Sequence, residues 1–186
     1  MVVELRAAES GRQPALLLRP WGSEDIQDLL EIYRDPVMST AAGRSIASEE
    51  DACRWLERQQ TGWADDSRLS FAVLCADAAA ARARAVGNVV LKGRSADKDS
   101  AEVGYWTAAA ARGRGVASAA VVTLTTWAFE VFGPHGLRRI ELIHQLDNVA
   151  SCRVAQKSEY ALTGILPAEP PAFPLDGHLH TRYSPG

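Results

Sequence analysis

The sequence predicts a single α/β domain whose sheet is mixed and mostly antiparallel, with one parallel pair of strands. Three observations support this prediction. Three strand-like runs follow one another with short links, which is typical of antiparallel neighbours. A long apolar helix separates the last of these runs from the next strand, and a helical crossover joins parallel strands. The chain has 186 residues, of which 47% are hydrophobic, so it can bury one core unaided.

The N-terminal part of the chain divides into a polar segment and a first strand. Residues 1–14 are polar and terminal, so we expect them to fray. The apolar run over 15–20 has the length of a strand. We therefore predict a polar segment over 1–14 and one folded domain over 15–186.

Two helices follow this strand. Ser23 is a suitable N-cap for a helix over 24–34, whose apolar residues fall on one face. Ser48 opens a capping-box-like start for a second helix over 49–60. The connection over 38–47 lies between the two helices. It either overhangs a site or is an exposed loop, and the sequence favours the loop.

The rest of the chain alternates between strands and helices. Short runs of β-branched and aromatic residues predict strands, and apolar residues at helical spacing predict helices. The predicted strands are 69–75, 86–92, 101–107, 137–146, 160–166 and 177–183. The predicted helices are 118–132 and 149–157. The strand over 137–146 should lie parallel to the strand over 101–107, because the helix over 118–132 connects them.

A link rich in glycine and arginine joins the strand over 101–107 to the long helix. Its residues are Arg112, Gly113, Arg114, Gly115, Val116, Ala117 and Ser118. Two glycines let the backbone turn sharply and approach a ligand closely. The first turn of the helix then offers unpaired N–H donors and the positive end of its dipole. A phosphate fits this arrangement, and a plain turn with solvated charges is the alternative.

Composition limits the classes of partner. The formal net charge is -3 at pH 7, the pI is about 5.8 and the arginines are scattered, so we expect no nucleic-acid partner. We see no apolar run of the length of a membrane span, and so expect no membrane partner. The three cysteines, Cys53, Cys75 and Cys152, show neither CxxC nor Cys/His ligand spacing. We therefore predict no disulfide, no metal and a reducing, cytoplasmic location.

Three motifs, at residues 102–106, 112–117 and 147–151, together resemble the GNAT N-acetyltransferase family over roughly residue 15 to the end. Residues 112–117 match the family's acyl-CoA signature, which is Arg or Gln, two residues, Gly, one residue, then Gly or Ala. The run DNVAS at 147–151 resembles the DNxxS segment of the RimJ/RimL-type subgroup, and EVGYW at 102–106 resembles that subgroup's strand entering the signature. The resemblance implies the GNAT fold, with a central parallel pair splayed around the acyl-CoA cleft and helices on both faces of the sheet.

The resemblance also implies a function. It is that of an acetyl-CoA-dependent N-acetyltransferase, which moves an acetyl group to a primary amine by direct attack in a ternary complex. The acceptor would be a protein N-terminal α-amine or a small-molecule amine. The cofactor-binding residues implied by the resemblance are Trp106, Thr107, Arg112, Gly113, Arg114, Gly115, Val116, Ala117, Ser118, Asn148 and Ser151. The partners are then acetyl-CoA as co-substrate and an amine, with no metal, and we expect a monomer or a homodimer.

Glu102 is the candidate general base. On a strand its side chain points away from Val103 and shares a face with Gly104 and Trp106, so it can face a cleft. A carboxylate that works through water is sufficient for an amine as acidic as a protein N-terminus. The alternative is that Glu102 is merely an exposed strand residue.

The proton donor departs from the common pattern of the family. Many members carry Tyr seven residues after the Asn, but Ala155 stands there in this sequence. The RimJ/RimL-type resemblance suggests Ser151 as the substitute, with Tyr160 as a weaker candidate. The family's Gly-Phe is also replaced, by Glu159-Tyr160. His144 is the remaining titratable residue near the strand end, and a core or edge histidine is its favoured interpretation.

Other functions stay open at this point. A dinucleotide-binding oxidoreductase would use a similar loop, but Ser118 stands where the third glycine belongs, and the motif follows antiparallel strands instead of opening a βαβ unit. A GNAT-like module could bind acyl-CoA without turning it over, since the usual Tyr is missing. An aminoglycoside-type antibiotic acetyltransferase is a further alternative.

Overall fold

An eight-stranded sheet organises the residues that the computed structural model describes, which are 3–11, 13–41, 46–75, 83–94 and 98–185. The strands are β1 (Leu5–Ala7), β2 (Leu16–Pro20), β3 (Arg68–Cys75), β4 (Arg84–Lys92), β5 (Ser100–Thr107), β6 (Arg139–Gln145), β7 (Ala161–Leu166) and β8 (Gly177–Tyr183). The helices are α1 (Ile26–Ile32), α2 (Pro36–Ala41), α3 (Glu49–Ala64), α4 (Val116–Phe132) and α5 (Val149–Lys157). Residues 42–45, within the connection considered above, lie outside the described part of the chain.

The sheet has the order β1-β2-β3-β4-β5-β6-β8-β7. Its β5 and β6 neighbours are parallel, and the other neighbouring pairs are antiparallel. This confirms the predicted mixed sheet with one parallel pair. The parallel ladder joins only residues 100–102 to residues 139–141, although both strands continue beyond it. The two strands therefore separate after a short ladder, and a cleft opens between them.

Alternation along the strands gives the sheet two apolar faces. On β3, Phe71 and Val73 pack into a core with α4, whereas Ala72 and Leu74 pack into a second core with α1 and α3. A strand that is buried on both faces must be apolar at nearly every position, as residues 69–75 are. Helices therefore cover both faces of the sheet, as predicted.

Strand β1 lies within the polar N-terminal segment and was not predicted. Its residues pair with β2 in an antiparallel ladder, instead of fraying. Leu5 anchors the strand, because its side chain is buried beside Leu16 and Leu18. Three residues carry too little periodicity to be recognised as a strand from the sequence.

The start of α1 also differs from the prediction. Ser23 is not the N-cap, because a 3-10 turn over Ser23–Asp25 precedes the helix and Gly22 stands before that turn. The Asp25 carboxylate accepts a hydrogen bond from the Gly22 N–H at 3.0 Å, and its two oxygens accept from the Arg19 guanidinium, each at 2.8 Å. A buried carboxylate held by a bidentate arginine thus fixes this turn, and a serine hydroxyl is not needed.

The long helix α4 is the main element on one face of the sheet. It begins at Val116, two residues earlier than predicted, directly after Gly115. The expectation that no apolar run has the length of a membrane span was wrong, since Val116–His135 is long and apolar enough to cross one. However, α4 packs as a core helix, with Val121, Leu124 and Ala128 completely buried.

Candidate active site

A cavity of about 640 Å³ lies where β5 and β6 separate, beside the start of α4 and one face of α5. The lining includes every cofactor-binding residue that the sequence predicted except Arg114. These residues are Trp106, Thr107, Arg112, Gly113, Gly115, Val116, Ala117, Ser118, Asn148 and Ser151. The fold therefore brings together two motifs that are more than twenty residues apart in the chain. Whether they bind a cofactor stays a prediction.

The turn before α4 has the shape that its glycines allow. Gly113 has φ +74° and Gly115 has φ +79°, and L side chains rarely adopt this left-handed region. Gly115 stands at the N-cap position, and no side chain among the described residues caps the helix there. Residues 115–118 line the cavity, and the N–H groups of this first turn of α4 have no side-chain cap. An anion in the cavity can accept from them.

Arg112 and Arg114 take different directions from this turn. The Arg112 guanidinium pairs with Asp35 at 2.5 Å, and so fastens the turn to the start of α2. The Val37 N–H, with a further contribution from Arg112, holds the pKa of the Asp35 carboxyl below its ordinary value. Arg114 lines a neighbouring cavity that also contains Asp28. Arg112 thus lines the cavity predicted to bind the cofactor, whereas Arg114 lines the neighbouring one.

Helix α2 forms part of the cavity wall, through Val37 and Met38. Sequence reasoning favoured an exposed loop here and kept an overhanging segment as the alternative. Met38, the first residue of this connection, is buried and lines the cavity, which agrees with the alternative of an overhanging segment. The helix was missed because its six residues are too few to establish a helical period.

Helix α5 supplies a hydroxyl and two cations to the cavity. Asn148 is its N-cap, and the Asn148 side-chain oxygen accepts from the Ser151 N–H at 3.0 Å. Ser151 lies in the first turn with its hydroxyl directed towards β5. Arg153 and Lys157 also line the cavity and were not predicted. Their spacing of four residues, which places both on one helix face, was the available signal.

Tyr105 is a further residue of the cavity that the sequence analysis did not predict. Its phenol donates a hydrogen bond to Ser151 Oγ at 2.9 Å. Burial raises the pKa of the Tyr105 phenol above its ordinary value, with the Ser151 hydrogen bond opposing this effect. Tyr105 points to the opposite face of β5 from Glu102, towards α5. The prediction followed the Glu102 face and therefore passed over it.

A second cavity, of about 510 Å³, opens on the other side of β5. Tyr105 and Trp106 line both cavities, so the two meet at this part of the strand. Trp106 is held there by an edge-on contact with Tyr33, with ring centroids 6.0 Å apart. The remaining lining residues are Trp55, Arg58, Gln59, Arg68, Asn88, Val90, Lys92 and Gly104. Among the described residues that line this cavity, three side chains are cationic and none is a carboxylate.

Glu102 lies at the last rung of the parallel ladder, beside the cleft and not inside it. Its carboxylate is about one-third exposed and pairs with Lys92 Nζ at 2.7 Å. It is not among the residues that line either cavity described above. Lys92 does line the second cavity, so a water molecule could connect Glu102 to a ligand there. The role of Glu102 as a base stays a prediction.

Tyr160, the weaker candidate for the proton donor, is buried away from both cavities. Its hydroxyl shares a hydrogen bond with Thr125 Oγ1 at 2.6 Å. Burial raises the pKa of Tyr160 to about 12. A phenol in this place supports the core between α4 and β7, and contributes nothing to the cavity.

The sheet order, the short parallel ladder and the glycine turn at the start of α4 together define a class of α/β domain with a cavity in the cleft between two separating parallel strands. Residues 15–160 match the family described as acetyltransferase (GNAT) domain, which is more than half of the chain. The chain therefore belongs to the GNAT acetyltransferase family. No curated protein sequence matches it significantly.

Solved structures share this fold at low sequence identity. RimJ from Mycobacterium smegmatis, in complex with CoA-disulfide, is 18% identical, with a TM-score of 0.77 over 98% of this chain and 87% of that one. The microcin C7 self-immunity acetyltransferase MccE, in complex with acetyl-CoA and AMP, is 16% identical, with a TM-score of 0.74 over 90% and 92%. An acetyltransferase from Salmonella typhimurium that modifies the N-terminal serine of ribosomal protein L7/L12 is 17% identical, with a TM-score of 0.72 over 93% and 97%.

Proposed function

We propose that this protein is an acetyl-CoA-dependent N-acetyltransferase that acts on a primary amine in a ternary complex. One observation carries the proposal: two cavities meet at Tyr105 and Trp106, and one of them has a turn of backbone N–H groups suited to phosphate. An acyl donor and an amine that enter from opposite sides of β5 would meet at these two residues. Direct transfer needs this arrangement, because the amine must reach the thioester carbon without a covalent enzyme intermediate.

The cofactor would lie along the first cavity. Its pyrophosphate would accept from the N–H groups of residues 113–118, with Arg153 and Lys157 adding positive charge from α5. Its pantetheine arm would run along the edge of β5 near Trp106 and Thr107, which the short parallel ladder leaves without a partner strand. Backbone groups at such an edge need hydrogen-bond partners, and an amide-containing chain supplies them.

The chemistry requires a neutral amine and a stabilised leaving thiolate. Deprotonating an alkylammonium group with a pKa of about 10.4 costs about 4 kcal/mol at about pH 7.4, whereas an α-amino group with a pKa of about 8 costs less than about 1 kcal/mol. Glu102 acting through water is therefore a sufficient base for an α-amine. Ser151 would donate its proton to the leaving sulfur and receive the phenol proton of Tyr105, and the proton released by the attacking amine would return to Tyr105 through water. The hydrogen bond at 2.9 Å supports this relay.

The charge of the second cavity favours one class of acceptor. Arg58, Arg68 and Lys92 line it, of which Lys92 is paired with Glu102, and among the described residues that line it none is acidic. A polycationic aminoglycoside would be repelled by such a wall, whereas a peptide or amino acid brings carbonyl and carboxylate oxygens beside its amine. We therefore favour a protein N-terminus or a similar α-amine, in agreement with the acceptor named for the Salmonella protein. A cytoplasmic location, where acetyl-CoA and nascent N-termini occur together, completes the proposal.

The test measures thiol release from acetyl-CoA with a panel of acceptors, with products identified by mass spectrometry. The panel contains peptides with free and with blocked N-termini, lysine-containing peptides with blocked N-termini, and aminoglycosides. We expect acetylation of free N-termini and not of the blocked peptides. Tight binding of CoA in calorimetry without turnover on any acceptor would instead identify a non-catalytic acyl-CoA-binding module, and the missing Tyr at Ala155 is the observation that keeps this second candidate.

A further inference from the structure

A cluster of three imidazoles and one thiol lies outside both cavities. His144 is on β6, Cys152 is on α5, and His178 and His180 are on β8. Three of the four histidines of the chain are thus in one place. Their four ligand atoms all lie within 4.8 Å of one another. These four residues are called the His/Cys cluster below.

The sheet explains how distant residues come together. His144 is directly opposite His178 in the antiparallel ladder of β6 and β8. His180 is two residues beyond His178, so both side chains leave β8 on the same face. Helix α5 covers this face, and Cys152 projects from it towards the strands, one position after Ser151. Sequence reasoning saw no ligand spacing because the pattern depends on strand pairing and not on local sequence.

The distances agree with a tetrahedral zinc site. Zinc binds imidazole nitrogen at about 2.0–2.1 Å and thiolate at about 2.3 Å, which places two nitrogens about 3.3 Å apart and a nitrogen about 3.6 Å from the sulfur. In this structure His144 Nε2 lies 3.2 Å from His180 Nε2 and 3.4 Å from Cys152 Sγ. The distance from Cys152 Sγ to His178 Nδ1 is 3.2 Å. Three of the six distances between donor atoms are therefore close to those of a tetrahedral zinc site, and all six are within 4.8 Å.

The surroundings of His144 also fit a metal ligand. Its Nδ1–H donates to the Gln145 carbonyl oxygen at 2.7 Å, which leaves the lone pair of Nε2 directed into the cluster. Metal-binding histidines usually have such an outer partner, because it fixes the tautomer and the orientation of the ring. His144 is 9% exposed and His180 is 3% exposed, so water has little access to the centre of the cluster.

We propose that His144, Cys152, His178 and His180 form a four-coordinate structural zinc site. Three nitrogens and one thiolate match the preference of zinc and not that of magnesium or calcium, which take oxygen ligands. Four protein ligands fill the tetrahedron, so the metal fastens α5 to β6 and β8 and leaves no open position for substrate. Helix α5 also carries Asn148 and Ser151, so the zinc ion would hold one wall of the cofactor cavity in place.

The experiment uses the full chain, purified without a metal-affinity step and under thiol-reducing conditions, and measures bound metal by mass spectrometry. We expect about one zinc ion per chain. The variants Cys152→Ser and His178→Ala should lose this zinc. Cys53→Ser and His135→Ala are the matched controls, since both residues are exposed and lie outside the cluster. They should retain it.

A second measurement does not depend on how well the variants fold. Wild-type protein stripped with a chelator and titrated with Co²⁺ should develop thiolate-to-cobalt charge-transfer absorption together with the intense visible bands of a four-coordinate ion. Zinc should displace the cobalt and raise the melting temperature of the stripped protein. The proposal is overturned if wild-type protein takes up neither metal, or if Cys152→Ser retains as much zinc as Cys53→Ser. These readouts are independent of acetyl transfer, so they separate this proposal from the proposed function.

Discussion

Replacing Gly113 by alanine tests whether the backbone shape of the glycine turn binds the pyrophosphate. Gly113 has φ +74°, and a Cβ built on it meets no atom within 4 Å. The substitution therefore adds no clash and acts only through the backbone, at a cost of about 1–2 kcal/mol for a left-handed L residue. If the turn relaxes to a negative φ instead, its N–H groups move away from the phosphate. Losing one hydrogen bond to a charged group costs about 1.5–3 kcal/mol, or about 10-fold to 150-fold in affinity.

Gly93 provides a matched control. It has φ +72°, and a Cβ there also meets no atom within 4 Å, but it follows β4 and is not among the residues that line the first cavity. Both alanine variants should lose similar stability, which corresponds to a fall of about 2–8 °C in melting temperature for a chain of this size. Only Gly113→Ala should weaken CoA binding, by at least about tenfold in isothermal titration calorimetry. If a folded Gly113→Ala variant bound CoA as tightly as Gly93→Ala, the assignment of the turn to the pyrophosphate would be refuted.

Three further predictions concern the other site residues and the core. Ser151→Ala should lower kcat more than it raises the KM for acetyl-CoA. If Ser151 and Tyr105 act as one relay, the double variant with Tyr105→Phe should lose little more kcat than Ser151→Ala alone. An unchanged kcat with weaker CoA binding would make Ser151 a binding residue only. Glu102→Gln should lower kcat/KM at neutral pH by a factor on the order of 10². The rate of this variant should recover as the pH is raised, from about pH 8 for an α-amine acceptor and from about pH 10 for a lysine-like acceptor. Wild-type rates across this pH range would exclude Glu102 as the base. The raised pKa of Tyr160 means that the unfolded chain loses this proton before the folded one, so its stabilising contribution is complete below pH 10.0 and is lost as the pH rises to about 12. Denaturant titrations should show this loss in the wild type and a smaller one in Tyr160→Phe, and identical slopes would contradict the assignment.

Local signals explain what could be predicted from the sequence. The glycine turn, the helix after it and the short helix after Asn148 each depend on a few adjacent residues, and the helical crossover over 118–132 implies the parallel pair. Tyr105 was missed because its role depends on α5 packing over β5, which no local pattern encodes. The His/Cys cluster was missed because Cys152 and His178 are 26 positions apart and meet only when β8 pairs with β6. Contacts that cross the sheet need the register of the strands, and the sequence alone does not supply it.

The short ladder between β5 and β6 divides the sheet into two unequal parts. Five strands lie on one side of this seam and three on the other. In the described part of the chain, a short stretch of backbone hydrogen bonding joins them, from residues 99–102 to residues 138–141. A cofactor arm hydrogen-bonded along the free edge of β5 would act as a substitute strand and extend the seam. Its binding free energy would then also resist separation of the two parts, since a ligand that binds only the folded state stabilises it by mass action. The concentration of free cofactor in the cell would therefore affect how strongly the two parts of the sheet are held together.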